Sequence, residues 1–187
     1  MLLNTFFQES VIMSQQRILL FTGNGKGKST AAFGMLARAL GHQKRACVIQ
    51  FVKSDDRVGE QAFFSRQPGV SWRQFGRGFL PRDRQSPQME VHRAAASEGL
   101  DAAVAALLDP ACELVLLDEV CFALANNLIP LDPLLDALHH IPEGKIVALT
   151  GRNAPEELIG IADTVTEMQL VKHAYQQGIP ATEGVEA

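Results

Sequence analysis

Residues 22–30 read Thr22, Gly23, Asn24, Gly25, Lys26, Gly27, Lys28, Ser29 and Thr30: three glycines and two lysines ahead of a pair of hydroxyls. Glycine-rich backbone turns its amides into a nest for phosphate oxygens, a lysine beside the nest supplies positive charge, and a serine hydroxyl is suited to a magnesium ion that travels with the phosphates. The spacing is that of the phosphate-binding loop G-x-x-x-x-G-K-[ST] shortened by one residue, with Thr22 standing where the first glycine is expected. A glycine-rich turn that binds nothing is the plain alternative, but Gly-Lys-Ser-Thr between a buried strand and a helix outweighs it. The predicted ligand is ATP, held by Gly23, Asn24, Gly25, Lys26, Gly27, Lys28, Ser29 and Thr30, and the shortening predicts phosphates lying otherwise than in an ordinary nucleotide hydrolase.

Four apolar residues, 114–117, run into Asp118 and Glu119. An acidic pair at a strand end is where phosphate-loop proteins present a carboxylate to magnesium, so Ser29, Glu119 and Asp118 are the candidate Mg2+ ligands, with the order between the two carboxylates open. Arg152 follows Thr150 and Gly151 at another strand end, where a planar guanidinium can meet a phosphate. Lys28, Glu119 and Arg152 are therefore the candidate catalytic residues. His139 and His140 fall near a helix end and suggest only solvation, whereas His173, between Lys172 and Ala174, is the one histidine whose neighbourhood hints at a ligand. No catalytic triad or zinc-type cluster is evident.

Strands are expected at residues 18–21, 46–52, 70–75, 114–117, 145–149 and 163–170, each mostly apolar or β-branched. Between them, helical composition covers residues 30–40, 60–66, 88–108 and 155–161, and residues 120–139 with a break near Pro130 and Pro133. Residues 76–87 hold two glycines, two prolines and Arg77, Arg82 and Arg84, the make-up of a long surface loop. Alternating strands and helices predict an α/β fold, P-loop NTPase-like, with a mostly parallel sheet and helices on both faces. Ligands of such sheets bind at the carboxyl ends of the strands, where Thr22, Asp118 and Arg152 all fall.

With 187 residues, one hydrophobic core suffices, so residues 13–187 are expected to form a single domain and residues 1–12 a flexible arm or an upstream start. The formal net charge of −4 argues against a nucleic-acid partner or an anionic membrane surface, both of which need a basic footprint. Cys47, Cys112 and Cys121 have no C-x-x-C spacing; Cys47 and Cys112 read as small buried hydrophobes. No apolar stretch is long enough to span a bilayer and the N-terminus makes a poor signal peptide, so the location expected is cytoplasmic.

Taken together, residues 22–34, Gln50-Phe-Val-Lys53, Leu116-Leu-Asp-Glu119, Thr150-Gly-Arg152, residues 162–168 and Val171-Lys-His173 resemble the ATP:corrinoid adenosyltransferases of the P-loop type, over residues 17–186. The resemblance implies transfer of the 5′-deoxyadenosyl group of ATP to the reduced cobalt of a corrinoid, with release of triphosphate and ATP reversed in its loop. Carried onto this chain, it matches Lys28 and the loop backbone to the phosphates, Ser29 and Glu119 to magnesium, Arg152 to a phosphate, and Phe79 to an aromatic residue that displaces the lower axial base of the corrinoid. It also implies a homodimer and a flavoprotein reductant. Pro81 stands where relatives often have tryptophan, and Thr182 replaces a usual glutamine. An ordinary ATPase or kinase, or a regulatory protein using ATP as a switch, remains an alternative from the residues alone.

Overall fold

The computed structural model of the chain describes residues 16–52 and 58–185. The proposed arm, residues 1–12, lies outside the described residues, as does Lys53. The described chain runs β1 (Arg17–Thr22), α1 (Lys28–Gly41), β2 (Ala46–Gln50), α2 (Gly59–Phe64), β3 (Val70–Gln74), α3 (Gln88–Leu108), β4 (Leu114–Asp118), α4 (Val120–Ala125), α5 (Asp132–His139), β5 (Ile146–Thr150), α6 (Glu156–Ile161) and β6 (Thr164–Glu167).

The strands form one sheet in the order β3-β2-β4-β5-β1-β6, and every pairing is parallel. Side chains alternate between its faces with the period of two that a pleated strand imposes. Ile18, Leu20, Ile49, Val115, Leu117, Val147 and Leu149 face one apolar layer, shared with residues of α3, α4, α5 and α6. Phe21, Ala46, Val48, Leu114, Leu116 and Ala148 face the other, against Ala32, Phe33 and Leu36 of α1 and Phe64 of α2. Helices thus cover both faces, and the continuous apolar runs of β1, β4 and β5 follow from burial on two sides.

The elements depart from expectation at their ends, for physical reasons. Helix α1 starts at Lys28 because Gly27, at φ +116°, turns the chain directly into the first helical hydrogen bond, Ala31 N–H to Gly27 C=O at 2.8 Å. The 120–139 stretch divides into α4 and α5; Pro133 does not break the second helix but sits in its first turn, where its missing N–H costs nothing. The strand expected over 163–170 ends at Glu167, since Met168 and Gln169 leave the sheet and pack beneath the glycine loop. Strand β2 stops at Gln50, two residues early. Cys112 is buried as expected, but Cys47 is only half-buried. Residues 76–87 form no strand and reach a helix only at Gln88. No helix of the described residues is long and apolar enough to cross a membrane.

Candidate functional site

The loop between β1 and α1 is shaped by close approach as much as by turning. A Cβ on Gly23 would lie 2.6 Å from the Met168 carbonyl oxygen, and one on Gly25 would lie 2.6 Å from that of Gln169. Both glycines let the segment after β6 pass directly under the loop, tied by Gly25 N–H to Met168 C=O and Met168 N–H to Thr22 C=O. Only Gly23, at φ +91°, also needs glycine for its backbone angle. Held this way, the loop delivers the first turn of α1 with no side-chain cap at Gly27 and no acidic residue within that turn. The free N–H groups and the positive end of the helix dipole are thereby left to an anion.

A cavity of about 860 Å³ opens over that turn. Asn24, Gly25, Lys26, Gly27, Lys28, Ser29 and Thr30 line it, whereas Gly23 does not. Glu119 and Arg152 line the same cavity from the ends of β4 and β5, and Phe79 reaches it from the 76–87 loop. Phe79 is fully exposed, a large apolar ring with no packing partner among the described residues to account for it. His173 lines the cavity as well, its Nδ1 accepting the Tyr175 N–H at 3.2 Å. A smaller space of about 460 Å³ adjoins, sharing Asn24 and Arg152 and bounded by residues 167–170.

The charges converge. Lys28 is buried and its Nζ donates to the Gly25 carbonyl at 2.7 Å. Burial pulls its pKa below the ordinary lysine value; Glu119 works against that shift and Arg152 adds to it. Lys26 donates to the Val185 carbonyl, so the C-terminal segment crosses the loop and Gly184 and Val185 join the cavity wall.

The two carboxylates at the end of β4 have different fates. Asp118 has no exposed surface: Gln50 Nε2 donates to Oδ2 at 2.9 Å and the Thr150 hydroxyl to Oδ1 at 2.8 Å. It does not line the cavity. Glu119 does, in a left-handed backbone conformation at φ +61° fixed by its N–H bonding the Thr150 hydroxyl at 2.9 Å. A non-glycine residue held in that region carries strain, which concentrates at functional positions. Gly151 makes room for this corner, since a Cβ there would meet the Phe122 nitrogen at 2.8 Å.

Among the described residues no group of three or more His, Cys, Asp or Glu could hold a metal ion by itself. The hydroxyl of Ser29 and carboxylate of Glu119 on one cavity are hard oxygen donors that fit magnesium, which typically binds one or two carboxylates plus substrate phosphates and keeps several waters. Sequence reasoning brought the loop, Glu119, Arg152 and Phe79 to this cavity. It assigned no site role to Val52, although that residue lies in the Gln50-Phe-Val-Lys53 run, and it missed Gly59, Glu60, Phe122 and the tail at Gly184 and Val185, which arrive only through topology.

A family profile for ATP:corrinoid adenosyltransferase BtuR/CobO/CobP matches residues 14–187. The chain is 45% identical over 170 residues to the corrinoid adenosyltransferase of Pseudomonas aeruginosa, covering 90% of this chain and 82% of that protein. It is 38% identical over 169 residues to that of Escherichia coli K12, and 37% identical over 169 residues to corrinoid adenosyltransferase CobA of Salmonella typhimurium. Each of those alignments spans 90% of this chain and 84% of the relative.

Proposed function

Since the chain belongs to the ATP:corrinoid adenosyltransferase family, we infer how its own residues carry out adenosyl transfer from ATP to a corrinoid. The reaction is attack of reduced cobalt on the ribose 5′-carbon, with the triphosphate as leaving group. Its barrier lies in placing the two reactants in line and in stabilising the charge that builds on the leaving oxygen.

The observation that carries the assignment of roles is a single cavity bounded by the loop, Glu119, Arg152 and the unsupported ring of Phe79. The phosphates belong at the first turn of α1, with Lys28 exchanging the Gly25 carbonyl for a phosphate oxygen and Arg152 adding a second cation. Ser29 and Glu119 would hold magnesium there, which supplies Lewis-acid neutralisation of the triphosphate. Asp118 supports Glu119 from beneath the site and is not assigned to the metal. ATP lying reversed in the loop turns its 5′-carbon toward the aromatic loop, where Phe79 meets the corrinoid face. Homodimer formation, a flavoprotein electron donor and a cytoplasmic location complete this reading.

The test is an ATP assay with chemically reduced cobalamin, followed by phosphorus NMR and visible spectra. Triphosphate and adenosylated corrinoid should form in equal amounts, each matching the ATP consumed. ADP and phosphate accumulating without a cobalt–carbon product would remove the reading.

A further inference from the structure

The last residues of four neighbouring strands are joined side chain to side chain. Gln74, ending β3, donates from Nε2 to Oε1 of Gln50 at 2.8 Å; Gln50, ending β2, donates from Nε2 to Asp118 at 2.9 Å. From the other side, the Glu119 N–H bonds the Thr150 hydroxyl, and that hydroxyl donates to the second oxygen of Asp118. Strand register aligns the row, with Gln50 opposite both Gln74 and Asp118. Gln50 is 1% exposed, and Asp118 and Thr150 are 0% exposed, so solvent cannot substitute for a lost partner.

The donors all point one way, toward the Asp118 carboxylate, and that polarity depends on Gln74. The Gln50 amide can give its NH2 to Asp118 only while its carbonyl faces a donor. Without the Gln74 NH2 group, the buried Gln50 carbonyl loses its partner, and turning the amide over would set carbonyl against carboxylate. Neither Gln74 nor Gln50 lines the cavity, yet the row begins beside the 76–87 loop that carries Phe79 and ends at the backbone of Glu119. Main-chain bonds run alongside it, Phe75 N–H to Gln50 C=O and Phe51 N–H to Asp118 C=O.

We propose that Gln74 and Gln50 are positioning residues that hold the Glu119 corner and the start of the aromatic loop in one mutual arrangement, coupling the phosphate end of the site to its corrinoid end. The roles of the two ends rest on the reading of function above; the coupling between them rests on the hydrogen-bonded row.

The experiment uses the whole chain with Q74M and Q74E. Gln74 ends an edge strand and is only part-buried, so both variants should fold; Q50M serves as a second perturbation of the same row. Two quantities are read: amide hydrogen exchange, without nucleotide or metal, at Glu119 and over residues 75–80, and the magnesium concentration giving half-maximal ATP binding. Exchange should accelerate at both places together in Q74M. The magnesium requirement should rise about three- to tenfold, the size of a coupling carried through one network. Q74E, which offers only acceptors to the Gln50 carbonyl, should exceed Q74M in both. Unchanged exchange at Glu119 in a folded Q74M overturns the proposal, as does faster exchange confined to β2 and β3 with no magnesium effect. Because the exchange readout needs no ligand, its failure is distinct from failure of the adenosyl-transfer reading, which would appear as no cobalt–carbon product from the unaltered chain.

Discussion

The Lys28 ammonium rests 2.7 Å from the carbonyl oxygen of Gly25, in the loop it serves. The buried cation bonds an acceptor of its own turn, and on the proposed reading phosphate binding exchanges that acceptor for a charged one. Replacing Lys28 by Ala should remove a charge-assisted contact of about 1.5–3 kcal/mol and weaken ATP binding by about ten- to a hundredfold. The melting temperature should change little. Unaltered ATP affinity by calorimetry would take Lys28 out of the site.

The same burial sets a pH dependence. Desolvation places the Lys28 pKa below its ordinary 10.5 in the free protein, and the phosphates should raise it again on binding. In the alkaline window between the lowered and the raised value, ATP binding should therefore take up a proton, and affinity should fall as pH rises through that window. Calorimetry in buffers of different ionisation heats measures the uptake. For folding the sign is opposite: a base with a lowered native pKa gives a relative stability gain as pH rises from that lowered value to its ordinary 10.5, because the unfolded chain holds the proton longer. Proton uptake that persists in Lys28→Ala would assign it elsewhere.

Asp118 and Glu119 are adjacent but should separate cleanly under mutation. Asp118→Ala strands the buried Gln50 amide and Thr150 hydroxyl, at about 1–3 kcal/mol for each unsatisfied group, so thermal melting should drop by several degrees. Glu119→Ala should melt near the unaltered chain while losing the magnesium dependence of ATP binding. A magnesium titration that follows Asp118 instead would reverse the assignment.

Phe79→Ala should leave stability unchanged, because the ring is fully exposed. Adenosylation should slow far more when the corrinoid is supplied as cobalt(II) with a mild reductant than as preformed cobalt(I), since an aromatic wedge acts on reducibility. Equal slowing under both conditions would make the ring a general contact, and Pro81 in place of the second aromatic residue sharpens that comparison.

Two glycines predict opposite outcomes. Gly25→Ala pushes a methyl to 2.6 Å from the Gln169 carbonyl, so the underlying segment must shift; a loss of about 1–3 kcal/mol and weaker ATP binding are expected. Gly34, exposed within α1, meets nothing within 4 Å, and Gly34→Ala should stabilise the protein by about 0.5–1 kcal/mol. Denaturant unfolding of both variants decides it; a destabilised Gly34→Ala would show the helix serving as a contact surface.

Lys28, Glu119 and Arg152 were legible because each stands at a punctuation mark: the glycine run after β1, the acidic pair at the end of β4, Thr-Gly-Arg at the end of β5; Glu60, inside a short helix, stands at none. Strand period and helix composition located the layers for the same local reason. What Gly23 and Gly25 accommodate was not legible, because the atoms they avoid belong to residues 168–169 at the other end of the chain. Nor was the difference between Asp118 and Glu119, which depends on Gln50 and Thr150 reaching across from neighbouring strands. The early end of β6 was not legible because the residues after Glu167 carry no turn signal, while Met168 bonds to the loop at Thr22 and Gly25.

Strand β1 is zipped on one side by β5 and on the other by β6, and Gly25 is fastened to Met168. The site's earliest motif in chain order is therefore among the last to be finished. Until residues near 169 have emerged, the loop has neither its flanking strands nor its underlay, and a nascent chain carrying an intact glycine run should not capture nucleotide. Such long-range closure slows folding and leaves the apolar face of β1 open to wrong partners while synthesis continues. Premature termination anywhere before that point should yield not a weakened enzyme but an aggregation-prone fragment, a hazard for the cell's chaperones and proteases.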